Sequence, residues 1–398
     1  MDLRSPSCSE HLEALAELYG HTFSEFWQLR DIGTTSYFVQ SPYDWDTSRI
    51  AVEDGGPVAH FGVWDFQMRI GVARVRLAGV GAVATARPHR KRGLMDGTVS
   101  ACLEAMRSSG YQMSLLFGIP KFYRRYGYVS TFSENLFVLD AREVPLREPA
   151  VAFDVYADED ARSMERFAEQ YNEENDGVTG TFVRPTFLAN PKRPNWRGYT
   201  FDGGYLVAGV RNGKLEIADC AGPPESIVDI AAQLARTEVT PEIRFVFLPA
   251  RSRMGAYLQH LNHRRHLRHF VDGGPMLKVV NLEATLSGIA PEVERRLEAS
   301  PLAGYSGSVG IRGDGEAVTL VFSKGRLVRT GSEDAHGQGD AVDGGIDGGT
   351  ALGRLVIGDD EPEHICRQAG ITVSGDAVRL LPILFPNQEP STVLWDRF

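Results

Sequence analysis

Cysteine is scarce in this chain: Cys8, Cys102, Cys220 and Cys366 are the four among 398 residues. That density cannot build a disulfide scaffold, and no pair is spaced CxxC, so a thiolate zinc site is not expected either. Reduced thiols are the simplest reading. Long apolar runs are missing as well, and none approaches the roughly 18 residues a membrane span needs. The first residues, MDLRSPSCSEHLEALAELYG, contain no apolar signal-peptide core. These absences lead to the expectation of a soluble, cytoplasmic protein with no membrane partner. Positive charge is in deficit, with 42 Lys and Arg against 52 Asp and Glu and a formal net charge of -10. A general nucleic-acid binder wants the opposite sign, so no nucleic-acid partner is expected. Neither common phosphate fingerprint, GxGxxG or GxxxxGK[ST], is present.

What is present is an ordinary globular composition, 42% hydrophobic and 24% charged. The length exceeds one core and predicts two to four domains, at roughly 100–200 residues each. Leu12, Leu15, Ala16 and Leu18 recur at helical spacing. Strand-like runs follow at Ile50–Val52, Val58–Phe66 and 72–85, then a helix from about Lys91 to Ser109 and a buried strand at Met113–Phe117. Composition shifts near Arg147–Ala150. The next section carries a hairpin signal, YLVAGV-RNGK-LEIADC, whose Asn-Gly pair is a two-residue turn cue. A helix near Glu225–Thr237 and a strand at Ile243–Leu248 come after it. A third section begins around Ala284–Pro291. Mixed strands and helices predict an α/β or α+β layer.

Two polar segments invite a metal reading. GSEDAHGQGDAVDGGIDGGT lacks the alternating acidic order of a calcium loop, and His260, His263, His266 and His269 stand at strict threes rather than i, i+4. No metal is expected.

The chemically informative stretch is GVGAVATARPHRKRGLMDGTVSACLEAM. A strand ends near Thr85, a turn contains Pro88, and Arg90, Lys91 and Arg92 precede Gly93 where a helix should open. First-turn amides are unpaired and carry partial positive charge, so they can receive a pyrophosphate. Gly93 lets a phosphate approach the backbone. Three cations there oppose the helix dipole, which argues for an external anion.

Arg90-x-x-Gly93-x-Met95, followed by FYRRYGY at Phe122–Tyr128, resembles the GNAT acetyltransferases, with Met95 in place of their usual Gly or Ala. RPHRKRG and YRRYGYV are similar to the Eis (enhanced intracellular survival) branch. The resemblance implies an α+β chain of two GNAT-like mixed-sheet domains, 1–150 catalytic and 151–285 degenerate, and a sterol-carrier-like α/β domain at 286–398. It implies acetyl-CoA as co-substrate, with pantetheine added like a strand to Val83, Ala84 and Thr85. Arg90, Lys91, Arg92, Gly93, Leu94, Met95 and Asp96 would cradle the pyrophosphate, and Gly118 and Ile119 would line the far side. The acceptor is expected to be a primary amine of a small molecule or lysine side chain. The rival expectations are a longer acyl-CoA in specialised metabolism, or a non-catalytic ligand carrier. A homo-oligomer, by resemblance a hexamer, is expected.

The same resemblance makes Tyr123 the general acid and the Phe398 carboxylate the base. A model thiol titrates near 8.5 and a model phenol near 10, so full proton transfer from Tyr123 is uphill by about 2 kcal/mol. Hydrogen-bond donation to the developing thiolate is the better role. A carboxylate that holds the amine and a relay water is the more defensible role for Phe398, and the nearby Trp395 argues against a frayed end. Within HTFSEFW, Glu25 and Phe26 fall in the branch's substrate-pocket segment; Glu25 pairs with an ammonium or remains a solvated helix carboxylate. Arg397, where the branch often has an acid, argues against a polycationic acceptor. His60 and Phe66 are further candidates for the pocket lining.

Overall fold

The computed structural model describes residues 2–27, 35–156, 161–186, 196–332 and 342–398. The elements of the first third are β1 (Asp2–Arg4), α1 (Cys8–Trp27), α2 (Ser36–Val39), β2 (Arg49–Glu53), β3 (Gly56–Ile70), β4 (Ala73–Thr85), α3 (Leu94–Ser108), β5 (Met113–Gly118) and β6 (Val129–Ser130). Then come β7 (Ser133–Asp140), β8 (Asp154–Val155), α4 (Ala161–Glu174), β9 (Arg197–Phe201), β10 (Gly204–Arg211), β11 (Lys214–Ala221), α5 (Pro224–Thr237), β12 (Glu242–Val246), α6 (Arg253–Leu258), β13 (Arg264–His269) and β14 (Gly274–Val279). The last part holds α7 (Leu282–Gly288), α8 (Ala290–Glu298), β15 (Gly307–Gly313), β16 (Glu316–Ser323), β17 (Arg326–Ser332), β18 (Gly344–Asp347) and β19 (Thr372–Gly375), with short helices among them.

These strands form three mixed sheets, ordered β1-β2-β3-β4-β5-β14-β6, β13-β7-β12-β11-β10-β9-β8 and β17-β16-β15-β18-β19. The α+β expectation holds. Sheet membership cuts across the 150 and 285 divisions: β7 already belongs to the second sheet, and β14 returns to the first. β14 pairs antiparallel with β5 along its whole length, from Gly274 with Gly118 to Val279 with Met113, a long-range pairing that no local signal marks. Among the described residues no helix is long and apolar enough to cross a membrane.

Period-2 alternation explains the first sheet. On β4, Val75 and Leu77 face the core that holds Leu15 and Ala16 of α1. Ala78 and Val80 face the other way, onto Val99, Cys102 and Met106 of α3. α3 buries Leu94, Val99, Cys102 and Met106, a stripe at helical spacing. It starts three residues later than expected because Lys91 (φ 61°) and Gly93 (φ 76°) are left-handed and cannot belong to a right-handed helix. The expected hairpin is β10–β11. Its Asn212 and Gly213 both have positive φ, as a type I′ turn requires. HLNHRRHLRHF supplies the edge strand β13; residues 333–341 of the Gly/Asp-rich segment lie outside the described residues, and its later part forms β18.

Candidate active site

β4 and β5 run parallel, but their pairing stops at Val80 and Leu116. Beyond it, β4 continues to Thr85 still paired on its other edge with β3, where Ala59 meets Thr85 and His60 meets Ala84. Among the described residues, the edge of Val83, Ala84 and Thr85 that faces β5 therefore lacks a strand partner, and an extended ligand can add there. A bulge between His60 and Gly62 causes the departure, and Ala82 takes φ 47° within it.

The fully buried His60 holds this bulge. Its Nδ1 lies 2.9 Å from the Ala82 carbonyl and its Nε2 2.7 Å from Tyr43 Oη. A carbonyl can only accept, so Nδ1 carries the proton and Tyr43 donates to Nε2. Burial pushes the imidazole down to about 4, so it is neutral near pH 7. His60 is thus a buried brace, and not the pocket-lining residue considered from sequence.

The turn after β4 is built as a cradle. Among the described residues no side chain caps α3, whose Gly93 N-cap has open space where a Cβ would stand. Leu94 is buried in the sheet's own core, so it offers only its backbone, and Met95 packs partly beside it. Arg90 Nε donates to the Thr85 carbonyl at 3.0 Å. Arg92 is not waiting for an external anion: it forks onto Glu53 of β2 at 2.8 and 2.9 Å, and His89 reaches the same carboxylate at 3.0 Å. Arg92 holds Glu53 below its ordinary carboxylate range. The inference that all three cations need a ligand fails at Arg92, because an acid 39 residues upstream supplies the charge. Lys91 has no ion pair among the described residues. Asp96 is engaged sideways, with Arg125 at 2.9 Å and with the Tyr126 hydroxyl.

Across the gap, Tyr123 is 8% exposed and stacks edge-on against Phe122 and Tyr128. Its ring lies over Gly118, and its hydroxyl makes no hydrogen bond among the described residues. Burial pushes the phenol well above its ordinary value. Proton loss is therefore harder than in water, which strengthens the case for donation over ionisation. Tyr128 hydrogen-bonds Ser114 at 2.7 Å deep in the core, so it packs. Ile119 is 65% exposed beside the gap.

Phe398 arrives from the other end of the chain. Its ring meets Phe66 at 5.2 Å, Phe117 at 5.4 Å and Phe182 at 6.1 Å. A Cβ on Gly81 would lie 3.2 Å from Tyr37 Oη and 3.5 Å from the Phe398 carboxyl carbon. The carboxyl group thus stands on the α1 side of the sheet at the bulge. Tyr37, Phe117 and Phe182 escaped the sequence reading; only the dense aromatics around Tyr37-Phe38 hinted at the first. The Arg397 guanidinium lies 5.0 Å over the Phe117 ring, which also meets Phe398. It pairs with Glu134 at 2.6 Å and lies 3.9 Å over the Phe247 ring, so its charge is neutralised inside and no longer argues against a cationic acceptor. Glu25 and Phe26 lie on the backbone of α1, but their side chains are outside the described residues.

Residues 5–130 match the acetyltransferase (GNAT) domain family. They form a GNAT acetyltransferase domain. The open β4 edge and the uncapped helix that follows it both belong to this domain. An uncharacterised N-acetyltransferase of Streptomyces coelicolor is 37% identical over 97 residues, 24% of this chain and 23% of that protein, so the match spans about a quarter of that relative. Solved structures share the fold end to end. A GCN5-related N-acetyltransferase from Kribbella flavida aligns over 100% of both chains at TM-score 0.70 and 20% identity. Eis1 from Mycobacterium abscessus aligns over 97% of both at TM-score 0.69 and 18% identity. The GNAT resemblance read from RPHRKRG and FYRRYGY is borne out over residues 5–130, and the chain shares its fold with Eis1.

Proposed function

We propose that the chain is an acetyl-CoA-dependent N-acetyltransferase that moves an acetyl group directly to a primary amine of a small molecule or lysine side chain. One observation carries this reading: β4 parts from β5 after Val80, with the Tyr123 ring packed over Gly118 at the end of β5 and the Phe398 carboxyl carbon close to Gly81 of β4. The cradle fits acetyl-CoA, since the left-handed Gly93 leaves open space at an uncapped helix start and Lys91 adds a cation with no ion pair among the described residues. The co-substrate supplies the activated acyl carbon. The chain's groups manage the protons. The amine nitrogen bonds to that carbon as the carbon–sulfur bond breaks. The Phe398 carboxylate, directly or through water, accepts the amine proton, and the Tyr123 hydroxyl donates to the sulfur as it gains charge.

The test is a library of primary amines incubated with acetyl-, propionyl- and longer-chain CoA thioesters, with free thiol as the readout. Thiol release that requires both an amine and acetyl-CoA supports the reading. Preference for a longer thioester would replace it with the longer-acyl alternative. Tight lipid binding without thiol release for any pair would replace it with a ligand carrier.

A further inference from the structure

The tail that delivers Phe398 is gripped by the second sheet and its attached segments. Asp396 is 1% exposed and accepts from Arg184 Nε at 3.0 Å and from Thr186 Oγ1 at 2.8 Å. The same guanidinium gives Nη1 to Asp219 of β11 at 2.6 Å and to Tyr205 Oη of β10 at 3.1 Å. It lies 3.5 Å over the ring of Tyr171 on α4. On one side of Asp396, Trp395 packs against Trp196. On the other, Arg397 is held by Glu134 of β7 and by Phe247 just after β12.

A buried ion-pair cluster is a poor way to gain stability, because desolvation offsets most of the attraction. What it enforces is placement. Apolar residues can slide along an apolar groove, whereas a buried carboxylate satisfied by one guanidinium and one hydroxyl has a single seat. That seat lies two residues before Phe398, and a misplacement of about 1 Å at a reacting group can lower turnover about a hundredfold.

We infer that the second domain serves as a clamp, in which Arg184 and Asp396 are positioning residues that set Phe398 against Gly81 in the first domain. This rests on the reading that the Phe398 carboxylate acts on the amine.

Two variants test it. Asp396→Asn should lower kcat about tenfold or more, with the acetyl-CoA KM within about twofold, since the cradle at 83–96 is untouched. If that variant shows no cooperative melting, Arg184→Met/Asp219→Leu/Asp396→Leu decides, because removing all the cluster's charges leaves no ion unpaired. It should melt at or near the wild-type temperature and still turn over about tenfold or more slowly at an unchanged acetyl-CoA KM. Wild-type kcat in that charge-free variant, or in a well-folded Asp396→Asn, overturns the clamp. A chain extended by Gly-Ser after Phe398 separates this from the reading beneath it. Full activity there removes the carboxylate itself, whereas loss of activity there beside wild-type Asp396 variants removes only the clamp.

Discussion

The ring of Tyr123 lies directly over Gly118: a Cβ at 118 would stand 2.6 Å from Tyr123 Cδ2 and 2.7 Å from Leu116 Cδ1. Gly118 is the last residue of β5, just beyond the point where β5 and β4 part. Its missing side chain is what lets the phenol lean into the gap. Gly118→Ala should therefore displace Tyr123 and lower kcat about tenfold while the melting temperature falls only a few degrees. Steady-state kinetics beside a thermal melt check this, and an unchanged kcat would mean the ring needs no such seat.

Tyr123→Phe removes the hydroxyl and keeps the packing. The expected result is a loss of roughly a hundredfold in kcat with little change in the acetyl-CoA KM. Because burial raises the phenol's titration, Tyr123 stays protonated up to and beyond its ordinary value near 10. The basic limb of the wild-type kcat profile should then show no loss below pH 10 that disappears in Tyr123→Phe.

Lys91 and Arg92 should part company. Arg92 is occupied by Glu53, whereas Lys91 is not paired among the described residues. Lys91→Ala should raise the acetyl-CoA KM roughly fivefold at low salt, with the difference shrinking at high salt. Arg92→Ala should do less. A larger effect at Arg92, measured across a salt series, would show that its pair with Glu53 opens when the nucleotide binds.

Gly93→Ala tests the backbone argument. Nothing stands within 4 Å of the added Cβ, so sterics with neighbours are not the issue. The left-handed φ of 76° is, and it should destabilise the variant by roughly 1–2 kcal/mol. The new methyl would occupy the space proposed for a phosphate, so the acetyl-CoA KM should rise as well. A KM equal to wild type would place the pyrophosphate elsewhere.

Glu174 predicts a pH dependence of stability. Burial raises its carboxyl to about 7, although its Oε1 accepts the Met254 amide at 2.6 Å. Between its ordinary 4.5 and about 7 the folded chain holds this proton more tightly than the unfolded chain. Its contribution is therefore fully present below about pH 4.5 and is lost as pH rises through about 7, a change of roughly 3 kcal/mol. Glu174→Gln should keep the hydrogen bond and flatten this slope. Urea midpoints at pH 5 and pH 8 measure it, and equal slopes in both proteins would refute the assignment.

Local pattern alone determined a good deal of this protein. The alternation of 73–85, the stripe of α3 and the Asn212-Gly213 turn are each set by neighbours in the chain, and so were readable. So was the cradle, because Arg90, Gly93 and Tyr123 lie within 34 residues on one strand–helix–strand unit. Other features needed the fold, because they join charges and rings that are distant in sequence. Glu53 neutralises Arg92, Glu134 neutralises Arg397, and β14 closes a sheet whose other strands end at 130. Only the tertiary structure brings Arg184 to Asp396 and Phe398 to Gly81. A buried charge takes whichever partner the packed chain offers, and sequence spacing carries no record of that choice.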